Sequence, residues 1–329
     1  MAIVRAAARS VSGTPVGAVG YGLMGMTMPW APVEYPVAAK IMNTALDQGA
    51  NFWNGGIHYG TPTANSLQLL KYYFEQYPED GKKVVLSIKG AFGMKSGPTG
   101  SPGAIRESVE EAAKVLGDTK KVDIFEMARV DPNVPIETSV NALAELVKEG
   151  KIGGIGLSEV GASTIRKAHA IHPVSAVEVE LSLFTPDPLH NGIVDTCHEL
   201  NIPIIAYSPI SRGWLTGEYR TLDDLPETDY RRHFPRFKPE VFAQNFKLVE
   251  AVEQIAKRKG VTTPQVAIGW VCRQGAIPIP GSTKVERVTQ NTNPADLTND
   301  EMVEIQKLLD GLPIGGERYG GAGEKLLNA

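Results

Sequence analysis

Cysteine is nearly missing from this chain: 329 residues carry two, Cys197 and Cys272, far apart and in apolar surroundings. That excludes a disulfide scaffold and a cysteine-rich zinc site. Buried free thiols in a reducing compartment are the expected state. Charge of one sign is lacking too. The balance of 33 Lys and Arg against 37 Asp and Glu leaves −4, whereas a nucleic-acid surface needs a clustered basic excess. The one dense basic cluster is Arg231-Arg232-His233 with Arg236 and Lys238. No apolar run is long enough to span a bilayer. The histidines are scattered, and no pair has metal-ligand spacing with a third ligand nearby, so no metal is expected. The Arg- and Ala-rich opening Met1–Ser10 lacks acids but is too short for a transit peptide. The chain reads as cytoplasmic, with no nucleic-acid and no membrane partner.

What is present is a cadence. Short β-rich runs alternate with longer amphipathic ones. The strand candidates are Ala18–Gly22, Asn51–Trp53, Val84–Lys89, Val122–Met127, Ile152–Leu157, Ala176–Val179, Ile202–Tyr207 and Ile277–Pro280. Helix candidates lie near 36–49, 63–76, 102–117, 136–149, 161–171, 189–200, 240–259 and 284–292. In Ser139–Lys151, Val140, Leu143, Leu146 and Val147 form an apolar face at helical spacing, and Glu149-Gly150-Lys151 supplies the stop. The strands are apolar on both faces, as parallel strands covered by helices should be. Eight strand–helix units predict an α/β chain folded as a closed (β/α)8 TIM barrel, with its site at the C-terminal strand ends. One domain is expected over 1–329, with about 1–15 flexible. Extra helices fall near 263–274 and 298–311, a long Gly-, Pro- and Arg-rich loop runs from Ser208 to Lys238 after strand 7, and a flexible tail covers Gly315–Gly321.

The strand ends carry the chemistry. Asn54 ends one strand, Tyr59 stands five residues beyond it, and Lys89 ends the next. A cation near a phenol lowers its pKa from about 10, so Tyr59 is a candidate proton donor near neutral pH. Gly20-Tyr21-Gly22-Leu23-Met24-Gly25 has the spacing of a dinucleotide fingerprint. That reading needs a helix to open at once, and Pro29 and Pro32 oppose one. A barrel-mouth loop with close backbone approach fits better. A stronger anion site is Ile277–Arg287. There Gly281, Ser282 and Thr283 precede a helix, and Lys284 and Arg287 share one face. Two cations and a hydroxyl around one point suit a phosphate monoester.

These residues together resemble the aldo-keto reductase superfamily, from about Val16 to Tyr319. The matching motifs include Gly22-Leu23-Met24-Gly25, Asn51-Phe52 through Tyr59-Gly60, Lys89, Arg129-Val130-Asp131-Pro132, Gly156-Leu157-Ser158, Ala206-Tyr207-Ser208-Pro209, Arg212-Gly213 and Ile279-Pro280-Gly281-Ser282-Thr283. The resemblance implies a (β/α)8 barrel that binds NADP(H) without a Rossmann domain and reduces small-molecule aldehydes and ketones. By the same resemblance Tyr59 is the proton donor and Lys89 the catalytic Lys. Gly22 and Met24 lie along the cofactor, Ser158 and Glu178 hold the nicotinamide amide, and Ser208, Pro209 and Arg212 cover the pyrophosphate. Gly281, Ser282, Thr283, Lys284 and Arg287 clasp the 2′-phosphate, with Gln290 and Asn291 near the adenine.

Two positions depart from the superfamily: Asn54 stands for the usual Asp and Ala128 for the usual His. With Trp53-Asn54-Gly55-Gly56 and Gly156-Leu157-Ser158-Glu159-Val160, these departures are similar to the fungal pyridoxal reductases, which implies reduction of pyridoxal to pyridoxine. A buried Lys without its anion is costly. Either Lys89 is partly deprotonated or another carboxylate compensates, and alternation aims Glu126 inward beside it. His58 or Arg129 would take over from the missing His, and Trp30 would wall the substrate pocket. Two alternatives stay open: a reductase of other aldehydes, and a non-catalytic NADPH-binding sensor.

Overall fold

The structure is a computed structural model that describes residues 9–30 and 32–329. Eight parallel strands form one sheet in sequence order: β1 (Tyr21–Gly22), β2 (Phe52–Gly56), β3 (Val85–Gly90), β4 (Ile124–Met127), β5 (Gly154–Ser158), β6 (Val174–Glu180), β7 (Ile204–Tyr207) and β8 (Ile277–Pro278). The sheet closes on itself between its ends. The Gly20 N–H donates to the Pro278 carbonyl at 2.9 Å and the Gly22 N–H to Pro280 at 3.4 Å. The expected barrel is therefore the observed fold.

The glycines of the fingerprint-like motif belong to this seam. A Cβ on Gly20 would lie 2.9 Å from Ile279 Cγ2, and one on Gly22 would lie 2.7 Å from the Ile279 carbonyl oxygen. Strands β1 and β8 can meet only where side chains are absent. A single four-residue helical turn, Met24–Thr27, does open after the motif, ahead of the two prolines, but it is too short to continue into a crossover helix.

Helices cover the outside: α1 (Tyr35–Asp47), α2 (Ser66–Gln76), α3 (Pro102–Leu116), α4 (Ile136–Lys148), α5 (Ala162–Ile171), α6 (Ile193–Glu199), α7 (Pro239–Lys259), α8 (Thr263–Arg273), α9 (Val285–Asn291) and α10 (Asn299–Gly311). Several begin at a capping box in which a polar side chain takes up free N–H groups. Asn65 with Gln68 opens α2, Thr262 with Gln265 opens α8, and Thr298 with Glu301 opens α10. The candidate near 189–200 is shorter than expected, because Asp187–Leu189 forms a separate 3-10 turn before α6. Among the described residues no helix is long and apolar enough to cross a membrane.

The barrel interior is layered. Phe52, Val85, Ile124, Ala176, Ile205 and Ile277 form an apolar lower layer with Val11. One pleat up, the same inward faces carry Asn54, Ser87, Glu126, Glu178 and Tyr207, with Lys89 beyond. The upper half of the strands thus departs from the expected all-apolar pattern. Ser10–Val11 pairs with Thr14–Pro15 and buries Val11 under the barrel floor. Residues 1–8 of the 1–15 segment expected to be flexible lie outside the described residues.

The seam gives a paired test. Gly22→Ala is expected to cost about 1–3 kcal/mol, since backbone must move. Gly25→Ala, where nothing lies within 4 Å of an added Cβ, should change stability by less than about 0.5 kcal/mol. Urea unfolding midpoints of the two variants decide it. Equal midpoints would mean the seam tolerates a methyl group.

Candidate active site

The polar upper layer floors a cavity of about 1120 Å³. Strand alternation aims each group. Asn54 is in register with Ser87, and Glu126 with both Lys89 and Gly156. Lys89 is buried and donates to Asn54 Oδ1 at 2.6 Å. Its Nζ lies 2.6 Å from Glu178 Oε1 and 3.6 Å from Glu126 Oε2. The Asn54 amide donates onward, at 2.7 Å to Glu178 and 3.3 Å to Glu126. The Ser87 hydroxyl also donates to Glu126.

Lys89 is therefore paired. Burial pulls its pKa down, but Glu178, Tyr59 and Glu126 outweigh that and hold it above its ordinary value. Of the two sequence expectations the compensating carboxylate is the one observed, with Glu178 closer than Glu126. An Asp at position 54 could not donate to two carboxylates, whereas an Asn accepts from the ammonium and donates to both.

Tyr59 stands over this cluster, its ring centroid 5.8 Å from Lys89 Nζ. Gly56 makes room, because a Cβ there would lie 3.0 Å from the ring. Thr27 ties the loop down by donating to the Tyr59 carbonyl at 2.7 Å. The expected lowering of the phenol pKa is overturned. Burial raises it, and Lys89 and Arg129 only partly offset that. Tyr59 is a protonated phenol at neutral pH, which suits a proton donor.

The cavity brings together Gly22, Met24, Trp30, Asn54, Tyr59, Lys89, Arg129, Ser158, Glu178, Ser208, Pro209, Arg212, Gly281, Ser282, Thr283, Arg287, Gln290 and Asn291. Two expected residues stay outside its lining. Lys284 is the N-cap position of α9. His58 packs behind Tyr59, with ring centroids 4.6 Å apart, and against Phe92. Its Nδ1 has no partner. Arg129 donates to the Ala128 carbonyl and, at 3.3 Å, to Ser158 Oγ.

A second charged group closes the far wall. The Arg212 guanidinium lies between the Phe234 and Tyr319 rings, 4.6 Å from each centroid, and donates to Glu180 at 3.2 Å. Ser208, Ser211 and Arg212 hold left-handed backbone with φ of 49°, 54° and 54°, a strain that the packed surroundings must sustain. Arg318 is buried and donates to Glu159 at 2.7 Å, and Tyr207 and Tyr319 share a hydrogen bond of 2.9 Å. The tail expected to be flexible is thus fastened at Arg318 and Tyr319. The long loop after β7 is broken into four 3-10 turns. Its Tyr230 stacks on Trp30 across the mouth at 4.6 Å. Sequence reasoning missed Tyr230, Phe234, Arg318 and Tyr319. The one available signal was an Arg-Tyr pair inside a glycine-rich tail.

Residues 18–310 match the aldo/keto reductase family. The chain belongs to that family. This aldo/keto reductase is 44% identical over 323 residues to a probable pyridoxal reductase 2 of Schizosaccharomyces pombe, covering 94% of this chain and 96% of the relative. It is 38% identical over 306 residues to an aldo-keto reductase of Gibberella moniliformis, covering 91% and 92%. Its fold is that of a glycerol dehydrogenase from Gluconobacter oxydans, with a TM-score of 0.82 at 22% identity over 94% of this chain and 95% of the other. A thermostable aldo-keto reductase solved with the inhibitor epalrestat matches at a TM-score of 0.71 and 21% identity, over 91% and 98%. Members of the family use a nicotinamide dinucleotide. The donor set fits such a group: one cavity is lined by the buried polar groups under Tyr59 and by Ser282, Thr283 and Arg287. Arg287 meanwhile pairs with Glu218 from the loop after β7.

His58 supplies a pH test of this aldo/keto reductase. Burial first, then Lys89 and Arg129, push its imidazole down to about 3 from 6.5. A depressed base contributes stability above its ordinary pKa and loses it as pH falls. Unfolding free energy should therefore decline between about pH 6.5 and 3, at up to about 1.4 kcal/mol per pH unit. His58→Phe should flatten that part of the curve in denaturant titrations. An unchanged slope would show that His58 is not buried neutral.

Proposed function

We propose that this protein reduces the aldehyde of pyridoxal to the alcohol with NADPH. One observation carries the reading: a single cavity is lined both by Tyr59 with the Lys89 cluster and by the Ser282–Thr283–Arg287 donors. The substrate assignment is supported by the likeness to the Schizosaccharomyces pombe protein. NADPH, when bound, supplies the hydride from its nicotinamide. Tyr59 gives its phenolic proton to the carbonyl oxygen, a step worth about 10²–10⁴ in rate. Lys89, held charged by Glu178, stabilises the phenolate left behind. Arg129, beside Tyr59 and next in sequence to Ala128, orients the substrate through the ring oxyanion that neighbours the pyridoxal aldehyde. Ser158 and Glu178 flank the nicotinamide, and Arg212 closes over the pyrophosphate.

Ser282, Thr283 and Arg287 hold the 2′-phosphate, with Arg287 leaving Glu218 to do so. Gln290 and Asn291 then flank the adenine. Gly22, Met24, Ser208, Pro209 and Gly281 complete the wall by backbone and apolar contact. The protein works as one barrel domain in the cytoplasm.

Tyr59→Phe should lower the pyridoxal-dependent rate of NADPH consumption by about 10²-fold or more and leave NADPH binding, read by fluorescence, within about threefold. A panel of aromatic and sugar aldehydes run alongside tests the substrate: equal turnover across it would replace pyridoxal with a broad range. Tight NADPH binding without turnover on any aldehyde would favour the sensor reading.

Arg287→Ala should weaken NADPH by about ten- to a hundredfold and leave NADH nearly unchanged. Equal losses for the two cofactors would rule out a phosphate clasp.

A further inference from the structure

The cluster under Tyr59 holds one more ionisable group than Lys89 needs. The ammonium is met by two carboxylates, Glu126 from β4 and Glu178 from β6, all three of them buried. The intervening strand β5 would normally keep these carboxylates apart. It does not, because position 156 is glycine: a Cβ there would lie 2.3 Å from Glu126 Cγ. The glutamate extends across β5 through that gap. The Asn54 amide then donates to both acids at once. Glu126 Oε2 is buried with no hydrogen-bond partner.

We propose that the counter-anion of Lys89 has moved from the second strand to the Glu126–Glu178 pair, and that this pair holds one proton between its carboxyl groups. Glu126 is a positioning residue, and in this respect both glutamates act on the reaction through Lys89 and Tyr59. The inference rests on the reading of Tyr59 as proton donor.

The charge count carries it. With both acids ionised, Lys89 and the pair are one negative charge in excess in a desolvated place, and Arg129 does not make it good, because it bonds to the Ala128 carbonyl and Ser158 and reaches neither acid. With one proton retained the cluster is neutral, and the orphaned oxygen need not carry an unanswered charge. Two acids forced together titrate as a pair, one of them above the usual range. Burial first and the Glu126 carboxylate second push Glu178 up to about 8, with Lys89 opposing. Tyr59, from the loop after β2, faces the pair, and His58 from the same loop and Arg129 after β4 are the next titratable or charged groups, set against Lys89 and Tyr59. His58 stays neutral there and Arg129 stays charged, so neither titrates across this range.

The consequence concerns Tyr59. Both glutamates raise the cost of forming its phenolate. While the pair keeps its proton, one carboxylate opposes the developing phenolate. When the proton leaves for solvent, two do. Proton donation should therefore slow as pH rises through about 8, well before the phenol itself titrates.

The first test needs no turnover. An infrared titration of the substrate-free protein from about pH 6 to about pH 10 should show a buried carboxylic-acid C=O band that vanishes near pH 8. Glu126→Gln should remove the band, because a lone Glu178 facing Lys89 ionises. The second test is single-turnover hydride transfer. The wild-type rate should fall above the midpoint, at no more than about tenfold per pH unit, toward a lower plateau, and Glu126→Gln should abolish that fall while leaving NADPH affinity unchanged, since Glu126 does not line the cavity. If Glu178→Gln does not fold, the variant Asn54→Asp with both Glu126→Gln and Glu178→Gln returns a single anion to β2, facing the single ammonium. It should recover the fold and lack the alkaline fall. A wild-type protein without the band overturns the proposal, and so does a Glu126→Gln protein that keeps both band and fall. Retained turnover in Tyr59→Phe would instead sink the proton-donor reading and leave the infrared result standing.

Discussion

A buried ammonium must be answered by buried anions, and the upper half of this barrel is arranged to answer Lys89. Its position is set by the alternation of β3, which aims Lys89 and Ser87 inward from one face. Asn54, Glu126 and Glu178 reach it from β2, β4 and β6. The apolar layer below excludes water and keeps the interaction strong. Tyr59 then stands over a fixed field. Its proton is kept by burial, and Lys89 and Arg129 lower the cost of releasing it. Removing either partner of such a pair leaves a bare charge in a dry place, which is why the site depends on all of these side chains together.

Much of this was legible in the sequence, for physical reasons that apply residue by residue. The strands were readable because parallel strands under helices are short apolar runs between turns. Lys89 and Asn54 stood out because a charged and a polar residue interrupt those runs at their ends. Glu126 was placed correctly by counting the pleat. Glu178 was read as a cofactor contact, and its bond to Lys89 was invisible, since β5 separates it from β4 and only the missing Cβ of Gly156 lets the two acids share a site. The direction of the Tyr59 pKa failed for a different reason. A neighbouring cation can be guessed from spacing, but desolvation depends on everything packed around the ring.

The far wall was the least legible part. Arg318 and Tyr319 sit among glycines, and nothing local says that their side chains will be gripped. The grip is long-range: Arg318 finds Glu159 at the end of β5, and Tyr319 finds Arg212 and Tyr207. The loop after β7 likewise gains its 3-10 turns from contacts with the tail and with α7, among them Trp214 packed on Phe237 and Phe242. Segments of this kind have no periodicity of their own, and their conformation is decided by what they land on.

The stack of Trp30 on Tyr230 has a practical consequence. Of the four tryptophans, Trp53, Trp214 and Trp270 are at most 2% exposed, whereas Trp30 is 51% exposed. A collisional quencher such as iodide can therefore reach a single indole, and that indole spans the mouth of the cavity. The protein carries its own optical gauge of whether the entrance is open or filled, with no label attached.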